Sequence, residues 1–207
     1  MSPPTSSLLV SGLPSTVLIV IDPSSTRTIS PREIDAESGG EPRGPPHRIL
    51  LPVFHVHHVN TKDPESHFHV ATRPDYVHPQ AGVTPVDDEP ALRKYDLSPG
   101  FGARVGGTGA SLADVLAAAG IRTVVQVGIS SEHCISPTTR SARDRGLDVV
   151  VVADASATHA AAFGDTAGDS GGGKMWSAET VHRVSIAQLK DEFADVVTTA
   201  EFPEYVA

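Results

Sequence analysis

Residues 120–159 read GIRTVVQVGISSEHCISPTTRSARDRGLDVVVVADASATH, and two valine-rich runs in this stretch decide the fold. Arg122 to Ile129 (RTVVQVGI) and Leu147 to Ala153 (LDVVVVA) lack polar alternation, the pattern of strands buried on both faces of a parallel sheet. Between them, Ser136 to Arg145 is closed by Gly146, and glycine commonly ends a helix. Strand, helix and strand joined by short glycine turns make a βαβ unit. Its right-handed crossover builds a parallel sheet with helices on its faces.

The same grammar extends outward. Thr16 to Asp22 (TVLIVID) is a third β-branched run, and Ile49 to Val59 (ILLPVFHVHHV) a fourth, a strand from about Val53 because Pro52 has no N–H for a ladder. Val196 to Thr199 suits a short fifth strand. Ser111 caps a helix whose apolar stripe is Leu112, Val115 and Leu116, with Gly120 as its stop. Ser177 caps another predicted to reach Ala194, with Val181, Val184, Ile186, Leu189 and Phe193 near helical spacing and Glu179 in the first turn. Residues 26–48 (TRTISPREIDAESGGEPRGPPHR) hold four prolines and three glycines, which predicts a loop where a crossover helix is expected. The fold class expected is α/β: a three-layer αβα, Rossmann-like arrangement around a doubly wound, mainly parallel sheet. Residues 1–14 read as a flexible segment and 15–207 as one domain.

Composition narrows the function. Sixteen Lys and Arg against 25 Asp and Glu give a net charge of -9, which argues against a nucleic-acid surface or attraction to anionic membranes. The single cysteine cannot form an internal disulfide. Met1 to Ser15 lacks Lys and Arg, its apolar run is only Leu8-Leu9-Val10, and no stretch reaches the roughly 20 apolar residues of a membrane helix. A cytoplasmic enzyme acting on a small molecule is the expectation.

Ligands of doubly wound sheets bind at the carboxyl ends of the strands. Asp22 ends the first strand and Cys134 lies just past the strand ending near Ile129, so both are expected at one edge. Cys134 sits in Gly128-Ile-Ser-Ser-Glu-His-Cys134-Ile at the start of a helix, where unpaired N–H groups favour a thiolate and can hold an oxyanion. Placement alone leaves two roles open, a reactive nucleophile or a small buried hydrophobe. A cysteine attacking a carbonyl needs a proton acceptor and an acid at the leaving nitrogen. Asp22 could serve, or could simply cap a turn. Lys94, in Ala91-Leu-Arg-Lys-Tyr95, would by itself read as a solvated lysine.

Together, Asp closing the first strand, a later Lys, and Gly-x-x-x-x-x-Cys after a strand resemble the isochorismatase-like hydrolases, the cysteine-hydrolase superfamily. Residues 120–159 are the most similar. Phe101, Gly107-Thr108 and Ser111-Leu-Ala-Asp-Val-Leu116 resemble the segment that follows the family lysine, and residues 181–199 resemble the last helix and strand. The resemblance implies a triad in which Asp22 deprotonates Cys134, Lys94 steadies the charges, and a thioester forms and is hydrolysed. It also implies a cis peptide between Ile129 and Ser130 that aims the N–H groups of Ser130 and Cys134 at an oxyanion. Ser130, Ser131, His133 and Phe101 are the expected oxyanion or substrate-binding residues. A homo-oligomer and no cofactor are implied too. This chain departs from the family in Pro23-Ser24-Ser25-Thr26 after the aspartate and in an inserted Ser98-Pro-Gly100.

The sequence holds other patterns beside these. His55, His57, His58, His67, His69 and His78 crowd one region, and His55 and His57 share a strand face. Imidazole clusters suit zinc or iron. In the resemblance, the nicotinamidase branch binds a metal through Asp-x-His and a later His; Asp63-Pro-Glu-Ser-His67 is reminiscent of it, but His55 stands where the Asp belongs. Gly168-Asp-Ser-Gly-Gly172 spells a serine-protease motif in a chain without the required β-barrels, and Met175 stands where a P-loop needs Ser or Thr. The function expected is therefore a cysteine-dependent hydrolase of a small amide, carbamoyl or ureido compound. Its rivals are a metal-assisted nicotinamidase-like amidase, a vinyl-ether hydrolase that needs no cysteine, and a non-catalytic binding or assembly protein.

Overall fold

The computed structural model describes residues 16–21, 51–65, 85, 89–95, 99–106, 109–162 and 175–202. β-Branched runs form its centre. Thr16–Ile21 is β1, Val53–His58 is β2, Thr123–Ile129 is β5 and Asp148–Ala157 is β6. Ala91–Lys94 forms β3, Arg104–Val105 β4, Ala161–Ala162 β7, Met175–Trp176 β8 and Asp195–Val197 β9. Helices α1 (Leu112–Ala118), α2 (Ser136–Asp144) and α3 (Ala178–Ala187) lie between strands.

The main sheet has seven strands in the order β4-β3-β2-β1-β5-β6-β9, while β7 and β8 pair separately. All its pairings are parallel except β3 with β4. From β1 the order runs outward through β2 and β3 on one side and through β5, β6 and β9 on the other. That reversal between β1 and β5 is the switch point of a doubly wound sheet, where a crevice opens at the carboxyl ends of the strands.

Alternate residues of each strand feed two apolar layers. Val17, Ile19 and Ile21 share one face with Val56, Leu92, Val124 and Val151, covered by Leu112 and Leu116 of α1, Ala142 of α2 and Ile186 of α3. Leu18, Val20, Val125, Val127 and Val152 face the other way, with Phe202 among them. Each such buried aliphatic side chain contributes about 1.5–3 kcal/mol relative to exposure. Helix α1 begins as its sequence dictates: Ser111 accepts the Asp114 N–H while Asp114 reaches back to the Ser111 N–H, a complete capping box.

Two expectations are corrected and one strand is new. Helix α3 ends at Ala187 rather than Ala194, because Gln188 caps it and a tight turn follows in which Phe193 and Ala194 N–H groups both donate to the Leu189 carbonyl. Asp191 supplies the left-handed residue of that turn at φ 68°. The i, i+4 pair Leu189 and Phe193 belongs to the turn. Strand β3 was not foreseen as a strand, and β6 runs on to Ala157, beyond the valine run. The expectations for residues 1–14 and 26–48, and the motif Gly168–Gly172, lie outside the described residues. Among the described residues, no helix is long and apolar enough to cross a membrane.

Candidate active site

Strands β1 and β5 meet at the switch point through a glycine. Gly128 pairs with Ile21 in register. Its φ of 130° and an Ile21 carbonyl 2.0 Å from where a Cβ would stand leave no room for any other residue. The first residue of the Gly-x-x-x-x-x-Cys pattern therefore has a steric cause: it lets β5 close against the end of β1. One residue later, the Ile129–Ser130 peptide bond is cis, as the family resemblance implies.

From there the chain enters a five-residue π-helical turn, Ser131–Ile135, which carries Cys134 and runs directly into α2. One carbonyl closes this turn. The Ser130 oxygen accepts the N–H groups of His133 at 3.2 Å, Cys134 at 2.9 Å and Ile135 at 3.0 Å. The Cys134 N–H, expected to aim at an oxyanion, is directed to Ser130 instead. Cys134 itself is half-buried.

Lys94 comes to Cys134 across the fold. In β3 the burial alternates, so Leu92 and Lys94 point inward and Arg93 outward. Lys94 is only 2% exposed, and its Nζ donates to Cys134 Sγ at 3.1 Å. The lysine that composition alone would have left in solvent is thus placed against the thiol by strand parity. The third expected partner, Asp22, lies outside the described residues; Ile21 is the last described residue of β1.

Thr138, one helical turn after the cysteine, fixes it from below. Its fully buried hydroxyl donates to the Cys134 carbonyl at 2.6 Å and accepts the Gly100 N–H at 2.8 Å. Gly100 belongs to the 3-10 turn Gly100–Gly102 that follows the lysine strand, so Thr138 links the two halves of the site. His58 is a further neighbour. It is 5% exposed, paired in register with Lys94, and on the face of Phe54 and Val56 that also packs Cys134.

The remaining expected residues divide. His133 is exposed, with its Nε2 3.9 Å from Glu132 Oε1. Ser130, the N-cap of the turn, is half-buried. Ser131 is fully buried, its hydroxyl turned to the Ala157 carbonyl at 3.2 Å and His182 Nδ1 at 2.7 Å. Phe101 lies in the core at 1% exposure, with the Arg145 guanidinium 5.5 Å from its ring centre. The Ser131 hydroxyl is thus engaged by the fold, and the Phe101 ring lies in the core.

His55 and His57 stack at 6.4 Å, and His55 Nε2 bonds Glu89 at 2.9 Å. By strand parity both lie on the sheet face opposite Cys134 and Lys94. Among the described residues, no three His, Cys, Asp or Glu group to hold a metal; His67 and His78 lie outside them.

The chain has relatives. The family model described as Isochorismatase domain matches residues 48–201. The chain belongs to the isochorismatase family. YrdC, an uncharacterised isochorismatase family protein of Bacillus subtilis (strain 168), is 32% identical to this isochorismatase-family chain over 152 residues, 71% of this chain and 70% of its own. The solved structure of a cysteine hydrolase from Pseudomonas syringae pv. phaseolicola 1448A matches with a TM-score of 0.65 at 19% identity, covering 100% of this chain and 98% of that one. N-carbamoylsarcosine amidase from Thermoplasma acidophilum matches with a TM-score of 0.56 at 20% identity, over 89% and 96% of the two chains. Both share the fold, and the three-layer α/β class expected from the valine runs is the class observed.

Proposed function

We propose that this isochorismatase-family chain hydrolyses a C–N bond of a small amide, carbamoyl or ureido compound, with Cys134 as its nucleophile. The observation that carries the proposal is the 3.1 Å contact between the Lys94 ammonium and the Cys134 sulfur, with the lysine 2% exposed. A cation held against a sulfur away from bulk water favours thiolate over thiol. A lysine buried only for packing would carry its desolvation cost without return.

The reaction proposed is covalent. Asp22, the residue that follows Ile21 in the sequence, takes the thiol proton, and the thiolate forms a C–S bond to the carbonyl carbon. The C–N bond then breaks as Asp22 returns the proton to nitrogen, and ammonia or an amine leaves. Water attacks the thioester, with Asp22 again accepting a proton, to release the acid and restore the thiol. Lys94 stabilises the thiolate and the developing oxyanion, with the Ser130 N–H as a backbone donor. Support for the C–N class comes from the cysteine itself, which carbonyl chemistry uses, and from the fold shared with a protein named N-carbamoylsarcosine amidase.

The test is a screen of small amides, carbamoyl and ureido compounds for ammonia or amine release, paired with intact-mass analysis after acid quench. A substrate turned over by wild type should leave a mass increase equal to its acyl group, absent in Cys134→Ala along with activity. Turnover that survives Cys134→Ala would refute the proposal.

A further inference from the structure

The nucleophile's turn is tied at its beginning as well as its end, and the tie comes from a helix remote in sequence. Ser131 opens the π turn that carries Cys134. Its hydroxyl, fully buried, lies 2.7 Å from His182 Nδ1 on α3 and 3.2 Å from the Ala157 carbonyl at the end of β6. The next residue, Glu132, bonds the Thr158 hydroxyl just beyond β6. Two successive residues of the turn are thus held from outside it.

Within the turn, by contrast, three N–H groups share one acceptor, the Ser130 carbonyl. A π turn is wider than an α turn and does not extend cooperatively. Such a segment gets its orientation from its anchors. We infer that His182 is a positioning residue for the nucleophile: through Ser131 it fixes the start of the turn, and so the placement of Cys134 Sγ against Lys94 Nζ. This rests on the reading of Cys134 as a nucleophile.

The chemistry of the pair suits a fixed anchor. A serine hydroxyl has one proton and can also accept. With neutral imidazole it can donate to Nδ1, or donate to Ala157 while Nδ1–H donates to it. With imidazolium only the second arrangement is open, and it keeps both contacts. The tie therefore persists in either charge state of His182, which marks it as a holding group rather than a proton carrier.

The test compares iodoacetamide alkylation of Cys134 at fixed pH in wild type, His182→Ala, His182→Asn, Ser131→Ala and the Ser131→Ala/His182→Ala double variant. Asn places an amide group where Nδ1 stands, so it can restore the contact. Alkylation is expected to slow by roughly tenfold in His182→Ala, the upper range for one lost hydrogen bond, and to stay within about twofold of wild type in His182→Asn. The double variant should be no slower than the slower single variant, since both remove one link. A fast wild-type thiol unchanged by His182→Ala, or an Asn variant as slow as Ala, or additive losses in the double variant, overturns the positioning role while leaving the nucleophile intact. A wild-type thiol no faster than a free one overturns the nucleophile reading and this inference with it. If His182→Ala does not fold, the Asn variant and Ser131→Ala decide by the same measure.

Discussion

Replacing Thr138 with valine should separate hydrogen bonding from packing beneath Cys134. The two side chains have nearly the same shape, but valine has no hydroxyl. Wild-type Thr138 is fully buried, accepts from Gly100 N–H at 2.8 Å and donates to the Cys134 carbonyl at 2.6 Å. In Thr138→Val the buried Gly100 N–H loses that acceptor, at a cost of about 1–3 kcal/mol. The added methyl group recovers little, because it sits against that unsatisfied donor. Thr138→Ser keeps both bonds and loses one methyl group, a cost of about 1 kcal/mol. Valine should thus be the less stable variant. At about 2–4 °C per kcal/mol for a chain of this size, Thr138→Val should lower the unfolding midpoint by about 2–12 °C. Urea and thermal unfolding of the three proteins read this directly. A valine variant as stable as wild type, or more stable than the serine variant, would refute the role given to this hydroxyl.

Two further outcomes follow from local geometry. Gly128→Ala should destabilise by more than about 3 kcal/mol, since its Cβ would meet the Ile21 carbonyl at 2.0 Å and its φ is 130°; a urea midpoint near wild type would contradict the close packing of β5 on β1. Asp114 has its carboxyl held below the usual aspartate value of about 3.9 by the Ser111 hydroxyl and then by the Ser111 N–H. A lowered folded-state pKa means stability that is present above the unfolded value and lost as pH falls through the folded one. The stability gap between wild type and Asp114→Asn should therefore be widest at neutral pH and close on acidification, read by urea midpoints across a pH series; a pH-independent gap would contradict the capping-box account.

Much of the fold was legible because burial on both faces selects valine and isoleucine, which β1, β5 and β6 display openly. Strand β3 was hidden by a lysine on its inward face. Its inward positions are Leu92 and Lys94, and a lysine at a core position makes four residues look like a polar loop. The end of α3 was hidden for the opposite reason. Leu189 and Phe193 continue the helical period, and the residue that turns the chain, Asp191, is neither glycine nor proline.

The site divides in the same way. Cys134 and its glycine could be read from spacing, because the proposed chemistry needs the one and the other permits a close backbone approach. Thr138 could have been found as the residue four positions after the cysteine on the same helix face. His58 stood in the crowd of histidines, and only the β2–β3 register brings it beside Lys94. His182 had no local signal. Its partner Ser131 is 51 residues away, and sequence periodicity says nothing about contacts between elements so far apart.

The pH dependence of alkylation at Cys134, the single cysteine of the chain, tests the central claim most directly. If Lys94 and the switch-point crevice assemble a nucleophile, the wild-type thiol should react with an apparent pKa well below the free value of about 8.5. Lys94→Met should move it back toward that value, and Asp22→Asn should alter the profile as well. A wild-type thiol that titrates like free cysteine, or a profile indifferent to Lys94→Met, would contradict the account.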